Sequence, residues 1–152
     1  RPDIVTVPTV EGRKKAGRPA DLSNYDVAPY VRAKLVADVQ ACRDAIKPEL
    51  ALYIGGMGAR GKNFYNDICR DYGFEKEAVE IQDLYLDGKK QEAAAKVPGE
   101  WLKMSHLVGP KSFVKERLAA YKQAGVTVLQ VNPVGHDAVK QVEILRGLID
   151  DL

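Results

Sequence analysis

Between Gly109 and Ile149 the sequence changes its hydrophobic period twice, and this constrains the fold more than any other feature. GPKSFVKERLAAYKQAG places Val114, Leu118 and Tyr121 on one helical face, with a proline at its start and Gly125 at its end. VTVLQV, residues 126–131, follows at once, a short apolar run of the kind buried in a parallel sheet. After NPVGHD a second helical pattern sets Ala138, Val142, Leu145 and Ile149 in register. Helix, glycine, strand, loop, helix is the repeating unit of an α/β barrel or a doubly wound sheet.

Only one other segment reads as a strand. YDVAPYVRAKLV, residues 25–36, is rich in β-branched and aromatic residues, and its Pro29 marks a strand start, an edge or a bulge. The rest is helical by period. A short helix over TVEGRKKAG has Pro8 in its first turn and ends at Gly17. Val39, Cys42, Ile46, Leu50 and Tyr53 form one stripe in which Pro48 predicts a kink or two abutting helices. Phe64, Ile68 and Tyr72 share a helix face closed by Gly73, and Phe74, Ala78, Ile81 and Tyr85 share another closed by Gly88. KKQEAAAKV is a strong helix former ended by Pro98, and WLKMSHL reads as one more helical turn. Two strands are too few for a closed barrel or an ordinary open sheet and would leave both edges exposed. The chain is therefore either a mostly helical domain with a minimal sheet or a piece of a larger α/β fold.

At 152 residues and 45% hydrophobic content the chain can bury one core of ordinary size. The 23 Lys and Arg nearly cancel the 21 Asp and Glu, and a net charge of +2 gives no reason to invoke nucleic acid or membrane as the main partner. Cys42 and Cys69 lie in helical patterns without CxxC spacing, which favours reduced thiols and a cytoplasmic setting over a disulfide. No apolar run approaches the roughly 20 residues that span a bilayer, and no signal-peptide pattern is present. The chain opens on Arg1, so its start is expected to be processed or cut from something longer.

DVAPYV, ADVQACRDAIKPELALYIGGMGARGKNFYNDICRDYGF, EIQDLYLDGKKQEAAAKVP and LVGPKSFVKERLAAYKQAGVTVLQV together resemble the C-terminal part of the luciferase-like oxidoreductases, nearest to the branch that uses the deazaflavin coenzyme F420. The resemblance covers about residues 7–150. It implies a (β/α)8 TIM barrel in which the coenzyme lies across the C-terminal ends of the strands. It also implies hydride transfer between coenzyme F420 and a small-molecule organic substrate, with FMN-dependent monooxygenation in some relatives. On this reading residues 1–152 are a single partial domain, the C-terminal portion of the barrel. Strands 25–36 and 126–131 are then the seventh and eighth, and 37–107 is a helical excursion after the seventh strand and a candidate lid. The segments that hold the coenzyme ring in the family lie outside this chain, and no catalytic residue is assigned. The implied partner is the missing N-terminal half of the barrel or a second copy. A non-catalytic half-barrel interaction module is the competing reading.

Six residues are candidates for coenzyme binding. In GGMGARGKNFY, Arg60 and Lys62 stand in a glycine-rich loop ahead of a helix starting near Asn63, an arrangement that suits a phosphate or an acidic tail. The loop is neither a Walker motif nor GxGxxG, and Gly55 and Gly56 as a helix cap beside a solvated basic pair is an equal reading. Arg32 and Lys34 alternate onto one face of the first strand, so both line a pocket or both point outward. Asn132 and Gly135 follow the last strand, where barrels often bind phosphate. His136 reads as a solvated residue at a helix start, and His106 as a structural histidine. Two histidines without paired acidic ligands leave no expectation of a metal.

Overall fold

The computed structural model describes residues 2–152. Its elements run α1 (Pro2–Lys15), β1 (Tyr30–Leu35), α2 (Val39–Ala51), a π-helical turn (Leu52–Gly56), α3 (Phe64–Asp71), α4 (Glu75–Leu86), α5 (Lys90–Ala95), α6 (Gly99–Ser105), β2 (Leu107–Gly109), α7 (Lys111–Gln123), β3 (Gln130–Pro133) and α8 (Ala138–Asp150). They fall into two compact units, one reaching Ala37 and resuming at His106–Leu152, the other spanning Asp38–Ser105.

The first unit is a parallel sheet with β1 in the middle, flanked by β2 and β3. Tyr30 is opposite Gln130 and Arg32 opposite Asn132 on one side, and Ala33 is opposite Leu107 on the other. Three strands replace the two that the sequence led us to expect. LVG has no polar–apolar alternation to betray it, because Leu107, Val108 and Gly109 are all buried. Pro29 marks the start of β1, since proline cannot donate to a ladder, and residues 25–29 stay outside it. β3 starts four residues later than VTVLQV suggests, because the regular ladder opposite β1 begins only at Gln130. Before it, the Thr127 and Val128 amides both donate to the Val27 carbonyl.

Helices α7 and α8 pack on the same face of this sheet. Val31, Ala33, Leu107, Val114, Leu118, Leu145 and Leu148 form its core. The inward stripe of α8 is Gln141, Leu145 and Leu148, rotated from the expected one, and Val142 and Ile149 are exposed. Helix α1 starts upstream of Pro8, which sits in its interior and deprives one turn of a hydrogen bond.

The second unit has its own core of Ala51, Ile54, Cys69, Ala78, Ile81, Ala93, Ala94 and Val97. Helix α2 runs unbroken through Pro48, and the irregularity falls later, in the π-helical turn. Helix α3 turns Asn66 and Cys69 inward, whereas Phe64 of the expected apolar face is exposed. Trp101 meets the rings of Tyr72 and Phe74 edge-on, with centroids 5.3 and 5.7 Å away. Among the described residues no helix is long and apolar enough to cross a membrane.

Candidate functional site

Alternation along β1 sends Val31 and Ala33 to the helices, so Tyr30, Arg32 and Lys34 stand on the opposite face. Across the ladder, Asn132 donates from Nδ2 to the Tyr30 hydroxyl at 2.6 Å. Beyond β3 the loop turns at Gly135, whose φ of +104° only glycine adopts readily. The Lys34 Nζ lies 2.7 Å from where a Cβ at Gly135 would stand, so the missing side chain forms the notch that receives the amine. Asp137 Oδ1 lies 3.6 Å from that same point.

Two hydrogen bonds fix this corner. Gln141 Nε2 donates to Asp137 Oδ2 at 2.8 Å, and Gln141 Oε1 accepts the Leu35 amide at 2.7 Å. That amide points to the β3 side, where Pro133 has already ended the strand. Gln141 thus satisfies a donor that the ladder leaves over. The Gln141 hydrogen bond holds the Asp137 carboxyl below its usual range, helped by its own backbone amide, opposed by burial, and helped further by the charges of Lys34 and Lys140.

Arg32, Lys34, Asn132 and Gly135 are therefore gathered at the carboxyl ends of β1 and β3. The ammonium in the notch and the amide groups of the loop suit an anionic or hydroxyl-bearing ligand. His136 is exposed beside the cluster. Tyr30, Asp137 and Gln141 went unread in the sequence, although Asp and Gln four apart at a helix start are a legible hydrogen-bonding pair.

Arg60 and Lys62 belong to the second unit. Arg60 Nε pairs with Asp83 at 2.7 Å, and both side chains are more than half exposed. The glycines around them have local reasons. A Cβ on Gly55 would lie 2.5 Å from the Tyr85 Cβ, and one on Gly58 would lie 2.4 Å from the Lys62 carbonyl. Gly61 takes a φ of +71°. Asn63, buried, accepts from the Tyr65 and Asn66 amides and donates to the Tyr53 and Ile54 carbonyls. Asn66 donates to the Ile54 and Ala78 carbonyls and accepts from Arg70. The two asparagines pin the loop to its own unit.

The sequence model of the luciferase-like monooxygenase family matches residues 5–128. The chain belongs to that family. It is also 31% identical over 135 residues to a protein of Mycobacterium tuberculosis (strain ATCC 25618 / H37Rv) whose provisional name is coenzyme F420-dependent oxidoreductase. That alignment takes in 89% of this chain and 39% of the relative, so the chain spans about two fifths of the length of the curated relative it matches.

Two other features of this luciferase-like chain lie apart from the cluster. A cleft of about 240 Å³ between α7 and α8 is lined by Leu118, Tyr121, Val126, Ile149 and Leu152, near the amino-terminal end of β3 and on the helix side. Lys122 and Thr127 also line it, and no acidic or histidine side chain does. His106 is half-buried immediately before β2. Among the described residues no group of three or more His, Cys, Asp or Glu side chains could hold a metal ion.

Proposed function

We propose that this chain is the C-terminal portion of a (β/α)8 barrel whose whole is a coenzyme F420-dependent oxidoreductase, transferring hydride between the deazaflavin and a small organic substrate. The observation that carries the reading is the one-sided cover of the sheet: α7 and α8 both pack on the Val31 and Ala33 face. A doubly wound sheet needs helices on both faces, whereas a barrel keeps them outside and turns the other face inward. β1 and β3 are parallel neighbours, as a seventh and an eighth strand have to be, while β2 takes the other edge of β1, so the rest of the barrel would join at β2 and β3. The relative's name supports F420 over FMN.

The deazaflavin, when bound, supplies the hydride chemistry. The residues of this chain bind and orient. Lys34 neutralises an anionic group at the Gly135 notch, and Arg32 adds positive charge on the same face. Asn132, held against Tyr30, offers its carbonyl to a hydroxyl or an N–H. Arg60 and Lys62 contribute to holding the acidic tail, Arg60 by exchanging Asp83 for the ligand; an exposed pair of this kind costs only about 1 kcal/mol or less to open. The excursion from 37 to 107 serves as the lid, and the remainder of the barrel, or a second copy, is the partner that completes the sheet.

Fluorescence titration of the whole protein, this portion joined to the rest of its barrel, with coenzyme F420 and, separately, with FMN tests this. Saturable binding of F420 that weakens on the order of tenfold in Lys34→Ala is expected for the loss of one charge-assisted contact. Binding of FMN alone would replace the reading by a flavin monooxygenase, and binding of neither would leave a non-catalytic module.

A further inference from the structure

Gln141 occupies a place where an apolar side chain would be expected. It is only 4% exposed and begins the inward stripe that Leu145 and Leu148 continue. A buried amide is tolerated only with its hydrogen bonds made, and here one is made to the Leu35 amide and the other to Asp137. The second bond is the informative one. Asp137 Oδ1 and the Lys34 ammonium flank the same point above Gly135, yet no Lys34–Asp137 ion pair within 4.0 Å forms among the described residues. An exposed carboxylate so close to a flexible lysine would ordinarily swing over and pair with it. The bond to Oδ2 opposes that swing by fixing the carboxyl's rotamer.

We propose that Gln141 is a positioning residue that withholds Asp137 from Lys34, keeping the ammonium unpaired in the Gly135 notch for an anionic ligand. The idea rests on the coenzyme-binding reading only for the identity of the ligand; the withholding itself is a property of the chain alone. Charged and titratable groups facing Asp137 are Lys34 from β1 and Lys140 from α8.

The test uses Gln141→Met, which keeps size but loses the amide donor, and Gln141→Glu, which retains an acceptor for the Leu35 amide should the methionine variant fail to fold. Two readouts are taken: proton exchange of the Lys34 ammonium by nitrogen-15 NMR without ligand, and affinity for coenzyme F420. In both variants the ammonium protons are expected to become protected by a new pair with Asp137, and F420 affinity to fall on the order of tenfold. Adding Asp137→Asn removes the competitor and is expected to restore affinity, which a merely structural role for Gln141 would not allow. Unchanged ammonium exchange in the single variants overturns the proposal, as does a loss of affinity that Asp137→Asn fails to rescue. If the unsubstituted whole protein binds no F420 but the Lys34–Asp137 pair still forms in the variants, the coenzyme reading falls and the withholding by Gln141 stands.

Discussion

At the scale of single residues, the glycines of the candidate loop have reasons of their own. GGMGARG invites a phosphate-binding interpretation, yet the structure gives local reasons for its glycines, because Tyr85 is packed against Gly55 and Gly56. Gly56→Ala is therefore expected to destabilise the second unit by about 1–3 kcal/mol through overpacking, measured as a lower urea midpoint followed by Trp101 fluorescence. The candidates from β1 could be paired from sequence, since alternation alone puts Arg32 and Lys34 on one face. Asp137 and Gln141 could not be placed, because nothing local shows that a helix-start pair reaches the end of a strand roughly a hundred positions earlier. Cys69 gives a pH test. Burial pushes its thiol up to about 12 from an ordinary value near 9. The unfolded chain thus loses that proton first, so this contribution to stability is complete below about pH 9 and is lost as pH rises towards 12. Unfolding free energies that rise across that window would contradict the assignment. Near pH 8, alkylation of the native protein should mark Cys42, which is half-exposed, and spare Cys69.

Among the elements, long periodic helices were legible and short buried pieces were not. KSFVKERLAAYKQ and AVKQVEILRGLID read correctly as helices, because three turns give the period room to show, and glycines marked the ends of several others. β2 is three residues long and buried throughout, so neither alternation nor length announces it. Its stability has to come from its side chains. Leu107→Ala is expected to cost about 2–4 kcal/mol, read as a lower denaturant midpoint by far-ultraviolet circular dichroism. Proline was read too early at Pro8, which lies inside α1, and Pro48 does not end its helix, which continues to Ala51. Helix α1 carries Pro8 and, among the described residues, none that is buried in either core, so its amides are expected to exchange with solvent faster than those of α7 or α8. Equal protection would show that α1 has more support than its own turns provide.

On the scale of the whole chain, composition allowed for one core and the structure has two. Their apolar residues share no member, since one set is confined to the sheet with α7 and α8 and the other to α2 through α5 and Val97. Residue counts cannot reveal this, because the break comes from where the chain leaves a sheet and not from any change in composition. Trp101, the single tryptophan, belongs to the second unit. Its fluorescence is expected to report that unit's melting alone, and a midpoint displaced from that of the far-ultraviolet signal would mark two transitions; full coincidence would mean that the units unfold together. The barrel reading predicts in turn that the face of Tyr30, Arg32 and Lys34 is shielded in the longer protein. The return strand has a further consequence. The Val36 amide bonds the Gly109 carbonyl, and β2 lies directly against the strand from which the chain departed. The helical unit therefore hangs from two neighbouring threads of the same fabric. Such a module can be lengthened, trimmed or exchanged with little strain on the weave that carries it.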